Sequence, residues 1–265
     1  MTDDDLEQFD AHGAPPLPAA AEQGFVEQDG GRIWYASYGT GRPVILLHGG
    51  LGHSGNFGHQ VPDLISTGYR VIVIDSRGHG RSTRDKRPYS YEMMASDVLA
   101  VMDHAAIGRA ALVGWSDGAI SALILADKAP ERVSGVFFFA CKMDPSGNKP
   151  FEATLALKHC FSRHTKDYAV LSATPDKFKD FVEAVGSMQR TQPNYSAADL
   201  ARIRVPVQIV QAEHDEFIRD EHAAHLAKAL PNATLTILPG VSHFAPLQRP
   251  ELFNTAVKDF LATID

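Results

Sequence analysis

The chain has 265 residues, with Lys+Arg 25 against Asp+Glu 32, a net charge of −7 at pH 7, 44% apolar residues and 22% charged ones. That suits one large domain, or one domain with an insertion, long enough to bury a sizeable core. The acidic balance argues against a general nucleic-acid binder, no apolar run is long enough to span a bilayer, and Cys141 and Cys160 are too few for a disulfide framework.

Residues 1–22 are acidic, then rich in Pro and Ala, and show no periodic apolar face; they are expected to form a disordered arm. The start lacks a basic stretch followed by an apolar one, so no secretory signal is expected and a cytoplasmic location is the default. Two short runs, Gly24 to Gln28 and Arg32 to Ala36, flank Asp29-Gly30-Gly31 and predict a hairpin. Nearly unbroken apolar runs then predict strands covered on both faces: Val44 to Leu47, Val71 to Ile74, Ala111 to Val113, Val133 to Ala140, Val207 to Val210 and Ala233 to Leu238. Between them, Met94, Val98, Val101, Met102 and Ala105 fall on one helical face, as do Phe253, Ala256, Val257, Phe260, Leu261 and Ile264 behind Pro250. The alternation is an α/β signature. From 144 to 204 it stops: no buried-strand run occurs, and Phe178, Phe181, Val182 and Val185 keep helical spacing. An inserted helical cap over 144–204 is the simplest account, leaving 23–143 and 205–265 as the core. The basic cluster Arg77, Arg81, Arg84, Lys86 and Arg87 reads as a solvated loop.

Chemistry concentrates at Gly114-Trp115-Ser116-Asp117-Gly118, a G-x-S-x-G run between the strand ending at Val113 and an apolar helical stretch from Ala119. So tight a strand-to-helix turn has no room for side chains at Gly114 and Gly118, and it lifts the Ser116 hydroxyl clear of the sheet. A hydroxyl needs a base, and the base an orienting acid. His243 lies between the last strand and the last helix, and Asp215 just past the preceding strand, both at the carboxyl edge where sites collect in open α/β sheets. Gly50-Leu51-Gly52-His53-Ser54-Gly55 with Asp75 downstream also matches a dinucleotide-binding pattern. The preceding hairpin, the missing Tyr-x-x-x-Lys pair and the Ser116 constellation weigh against that reading.

On His48-Gly49-Gly50, Asp75 to Ser82, the Ser116 elbow, the Asp215 turn and the His243 loop, the chain resembles the α/β-hydrolase fold family over roughly residues 24–265. The resemblance implies an eight-stranded, mostly parallel sheet with its second strand antiparallel, flanked by helices, and a cap inserted after the sixth strand. It implies Ser116 as nucleophile, His243 as base, Asp215 as orienting acid and the backbone N–H groups of Gly50 and Asp117 as oxyanion hole. Ala212 and Glu216 depart from the family's usual acidic turn, which keeps Glu213 and Asp144 as alternatives to Asp215. His48, Asp75 and His79 are expected to build loops.

The elbow resembles that of hydrolases related to valacyclovirase and of meta-cleavage-product hydrolases. Trp115 and Asp117 are therefore expected substrate contacts, Asp117 through a substrate ammonium; its other reading is an anion in a first helical turn. The expected activity is acyl-enzyme hydrolysis of a small or medium carboxylic ester. Cleavage of a lactone or a carbon–carbon bond, or slow turnover by a ligand-binding receptor, stands as the alternative. No cofactor or metal is expected. The expected partner is a small-molecule ester, with no nucleic acid and no membrane.

Overall fold

The computed structural model describes residues 4–264. The two short runs before Val44 pair as an antiparallel hairpin, β1 (Glu22–Gln28) and β2 (Gly31–Tyr38), around Asp29 and Gly30, both at positive φ (43° and 80°). The sheet continues with β3 (Pro43–Leu47), β4 (Arg70–Ile74), β5 (Ala110–Trp115), β6 (Val133–Phe139), β7 (Val207–His214) and β8 (Ala233–Ser242). It is eight-stranded, in the order β1-β2-β4-β3-β5-β6-β7-β8. β2 runs antiparallel to β1 and β4, and the pairings from β4 through β8 are parallel, as the family resemblance implies.

The helices are α1 (Asp4–His12), α2 (Gln60–Ser66), α3 (Tyr91–His104), α4 (Asp117–Lys128), α5 (Leu155–Leu171), α6 (Phe178–Thr191), α7 (Ala197–Leu200), α8 (Asp220–Ala229), α9 (Ala245–Gln248) and α10 (Pro250–Thr263). Side chains alternate across each strand, so the apolar strand runs feed two cores. Ile45, Leu47, Ile72, Ile74 and Phe138 face α3, α4 and α8. Val44, Leu46, Val71, Phe137 and Phe139 face α2 and α10 on the other side. Phe253 sits edge-on to Phe137 and Phe139, with centroids 5.5 and 5.2 Å apart. This three-layer arrangement places the strands' carboxyl ends at one edge.

Between β6 and β7 the chain leaves the sheet. Thr154 caps α5, its Oγ1 accepting from Leu157 N at 3.1 Å, and Ser196 and Asp199 form a reciprocal capping box on α7. Tyr168 of α5 stacks on Phe181 of α6 at 4.8 Å, with Phe178 beside both. The apolar stripe read along α6 is thus shared between helix packing and the wall of a cavity below.

Two expectations are corrected. The segment read as a disordered arm contains α1, whose Leu6 and Phe9 are 0% and 3% exposed. Asp10 binds Lys166 (2.6 Å) and His159 (3.2 Å) of α5, while Asp5 binds Arg249 (2.6 Å) ahead of α10. An apolar stripe of two residues is too short to register as periodicity; tertiary partners supply the rest. The basic cluster is not simply a solvated loop either. Arg77 is 1% exposed, forks onto Asp97 through Nε (2.9 Å) and Nη2 (2.5 Å), and donates to the carbonyls of Gln28 (2.7 Å) and Asp29 (3.0 Å). It pins the hairpin to α3. Arg81 lies 4.3 Å over the Trp34 ring and Arg84 4.1 Å over Tyr89.

Candidate active site

Ser116 stands between β5 and α4 with φ 53° and ψ −123°, a strained conformation for a residue with a side chain. The sequence makes it attainable. A Cβ on Gly114 would come 2.4 Å from Ala119 Cα, and one on Gly118 would come 2.2 Å from the Leu47 carbonyl oxygen. With both positions bare, α4 starts hard against β5 and β3. Ser116 N donates to the Phe139 carbonyl at 2.9 Å, fixing the elbow to β6.

The β7 and β8 loops bring Asp215 and His243 together. His243 Nδ1 lies 3.1 and 3.0 Å from the two Asp215 carboxylate oxygens, and both residues are buried. Asp215 Oδ1 also accepts from the amides of Phe217 (2.8 Å) and Ile218 (2.9 Å), so the carboxylate is held from its own loop. That leaves Nδ1–H as the donor tautomer and Nε2 as the free ring acceptor. Burial alone would depress the imidazole pKa, but the charge and hydrogen bond of Asp215, with Glu216 and Asp117, raise it above the ordinary histidine value. Of the other acids weighed from sequence, Glu213 accepts from Gly240 N (2.7 Å), and Asp144 caps Ser146 (2.8 Å) and faces His222 (3.8 Å).

Two supports of the histidine loop had no sequence signature. Glu216 Oε2 accepts from His243 N at 2.9 Å, so the residue that departs from the family pattern fixes the backbone of His243. Trp115 Nε1 donates to the His243 carbonyl at 2.9 Å and is 2% exposed. Its ring lines the cavity while its polar edge holds the loop.

Ser116, His243, Trp115, Asp117 and Gly50 all line one cavity of about 840 Å³ between the sheet edge and α5–α6. Its walls are mostly apolar, with Leu51, Leu157, Phe161, Val182, Phe217 and Phe244 among them. Asp117 is 7% exposed; Tyr91 donates its hydroxyl to Oδ1 at 2.8 Å, and Gln189 of α6 donates Nε2 to Oδ2 at 3.0 Å. Burial, stronger than these hydrogen bonds, pushes the Asp117 carboxyl above the ordinary aspartate pKa. A Cβ on Gly50 would meet Gln189 Nε2 at 2.5 Å and Asp117 Oδ2 at 2.7 Å, so a bare position 50 lets the α6 side chain reach the elbow. A second groove, of about 770 Å³ between α1 and the α9–α10 region, is lined by none of these residues.

His48, Asp75 and His79 tie loops. His48 Nδ1 donates to the Gly49 carbonyl (2.8 Å) while Nε2 accepts from Ser76 N (3.0 Å). Asp75 accepts from Ser54 N (2.7 Å) and Arg81 N (2.8 Å), and His79 Nδ1 donates to the Arg77 carbonyl (3.0 Å). Asp75 is thus engaged by protein donors, and Gly52 to Gly55 leads into a short 3₁₀ turn at Ser54–Phe57 rather than opening a long helix. The dinucleotide pattern is a loop, not a cofactor cradle. Among the described residues, no group of three or more His, Cys, Asp or Glu is placed to hold a metal ion, and no helix is long and apolar enough to cross a membrane.

Relatives bear on this geometry. A 2-hydroxy-6-oxononadienedioate/2-hydroxy-6-oxononatrienedioate hydrolase of Burkholderia vietnamiensis is 30% identical, with 87% of this chain and 91% of that protein covered. A 3-oxoadipate enol-lactonase of Acinetobacter baylyi is 27% identical, with 84% and 91% covered. Among solved structures, Est816, described as an N-acyl homoserine lactone degrading enzyme, superposes with a TM-score of 0.73 at 30% identity, with 89% of this chain and 100% of that one covered. The family model described as "Alpha/beta hydrolase family" matches residues 44–256, most of the sheet together with the segments that carry Ser116, Asp215 and His243, and the chain belongs to that family of hydrolases.

Proposed function

We propose that the protein is a serine hydrolase that cleaves small or medium carboxylic esters through an acyl-enzyme. The observation that carries the reading is the strained Ser116 elbow opening into the cavity that His243 also lines, with His243 held by Asp215 at 3.0 Å. His243 Nε2 takes the Ser116 proton as Oγ attacks the acyl carbon, and Asp215 stabilises the imidazolium. The amides of Gly50 and Asp117 receive the negative oxygen; neither has an acceptor among the described residues. As the tetrahedral intermediate collapses, His243 protonates the departing alkoxide. Water then repeats the sequence on the acyl-enzyme, with His243 again as base, and releases the acid.

The apolar walls suit an apolar acyl or alkyl group. A lactone is a cyclic ester and needs the same steps; the names of the Acinetobacter relative and of Est816 favour including it. The test is kcat/KM on p-nitrophenyl acyl esters of increasing length and on a lactone series, for wild type and Ser116→Ala. Turnover by wild type with a fall of about 10⁶-fold in kcat for the variant is expected. Ester turnover that survives in Ser116→Ala, or wild type that binds ligands without turnover, overturns the reading, the second outcome favouring a receptor-like protein.

A further inference from the structure

Lys142 is a buried lysine that the reaction above does not use. It follows β6, is 3% exposed, and lines the cavity beside Asp117. Its Nζ donates one hydrogen bond, 2.5 Å to the Gln189 carbonyl, and no carboxylate among the described residues forms an ion pair with it. Burial holds its pKa below the ordinary lysine value, against the opposing charges of Asp117 and Asp144. An ammonium has three donors, and burying one without a close anion is costly.

The rest of the lining has the same sign. Lys158 of α5 and Arg190 of α6 line the cavity from its solvent-exposed side, and their side chains have no hydrogen-bond or ion-pair partner among the described residues. Lys149 is committed elsewhere: its Nζ donates to the Asp215 carbonyl at 2.8 Å and faces Asp220 at 3.8 Å. Against these cations the lining holds one carboxylate, Asp117, each of whose oxygens accepts one hydrogen bond, from Tyr91 and from Gln189. A chain of net charge −7 therefore encloses a cavity of positive character. A substrate ammonium would meet the like charge of Lys142 close by, whereas an anion would meet its unused donors.

We infer that the cavity takes substrates carrying a carboxylate, such as a dicarboxylic half-ester or a carboxylated lactone, with Lys142 as the specificity determinant and Arg190 and Lys158 flanking it. This deepens the hydrolase reading and rests on it for turnover, though not for binding. It is an alternative to the expectation that Asp117 receives an ammonium.

The test compares p-nitrophenyl hemiglutarate, p-nitrophenyl valerate and valine p-nitrophenyl ester. In wild type the half-ester is expected to exceed the neutral ester by about tenfold or more in kcat/KM, the worth of one charge-assisted hydrogen bond. That ratio collapses in Lys142→Met, returns in Lys142→Arg, and falls in Arg190→Gln should the first variant not fold. Preference for the neutral or the aminoacyl ester, or a ratio unmoved in the variants, overturns the inference. Binding is read separately, as the rise in Tm that glutarate gives Ser116→Ala. No rise, or an equal rise in Ser116→Ala/Lys142→Met, also overturns it. A Lys142-dependent rise without hydrolysis of any ester would defeat the hydrolase reading and leave the anion site standing; hydrolysis of neutral esters without a glutarate response would do the reverse.

Discussion

At the residue scale the proposed base, His243, is governed by its surroundings. His243 is buried, yet the carboxylates of Asp215 and Glu216 keep its pKa above 6.5. Catalysis needs the neutral ring, so kcat/KM is expected to rise with pH through a midpoint above the ordinary histidine value. Glu216→Gln can keep the 2.9 Å hydrogen bond from His243 N while removing a charge that favours the imidazolium. The acid limb of the pH–rate profile should then move to lower pH; an unmoved or raised limb would show that Glu216 does not act electrostatically on His243. Ser116, Asp215 and His243 were legible because their chain order and loop positions are local facts. Glu216, Lys142 and Gln189 were not, because what they do depends on which backbone they meet across the fold.

At the element scale, α1 is the clearest departure from the sequence reading. It lies against α5 and α9, with Phe9 edge-on to His164 at 6.0 Å. A lost aromatic side chain at a packed site costs about 3 kcal/mol or more, so Phe9→Ala is expected to lower the urea-unfolding free energy by that order. A loss near 0.5 kcal/mol, typical of a surface substitution, would mean that α1 is not docked in solution. The strands β3 to β7 were legible, by contrast, because a parallel sheet covered on both faces needs unbroken apolar runs; the expectation of two covered faces fails at β8, an edge strand whose Leu235 and Ile237 are 39% and 47% exposed. In α6 the stripe Phe178, Phe181, Val182 and Val185 showed a helix but not its partner: Phe181 goes to Tyr168 and Val182 to the cavity.

At the scale of the whole molecule, the fold buries histidines that it cannot afford to protonate. Burial depresses the pKa of His48 to about 4 and those of His79 and His164 to about 3, against 6.5 in an open chain. Between those limits the unfolded chain binds protons that the folded one does not. The contribution of these three rings is therefore complete well above pH 6.5 and drains away as the pH falls toward 4, whereas His243, with its raised pKa, works in the opposite sense only near and above 6.5. Three such groups give a slope of roughly 4 kcal/mol per pH unit near the middle of that window. Urea-unfolding free energies at pH 7, 6 and 5 should fall accordingly; a flat series would mean that these rings find room for a proton in the folded state.

The sequence by itself determined the α/β architecture, the hairpin before the parallel strands, the elbow at Ser116 and the loops that carry Asp215 and His243. Each is encoded within a few residues, as periodicity, a glycine that only a bare position can satisfy, or a place just beyond a strand. Only the tertiary structure decided that the N-terminal segment docks as a helix, that Arg77 is buried against Asp97, that Asp117 accepts from Tyr91 and Gln189, and that Lys142 lines the cavity without an ion-pair partner among the described residues. Those facts depend on pairs far apart in the chain, such as Asp117 with Gln189. A side chain's charge and size are local, whereas its desolvation and its partners are fixed only when the chain has closed around it.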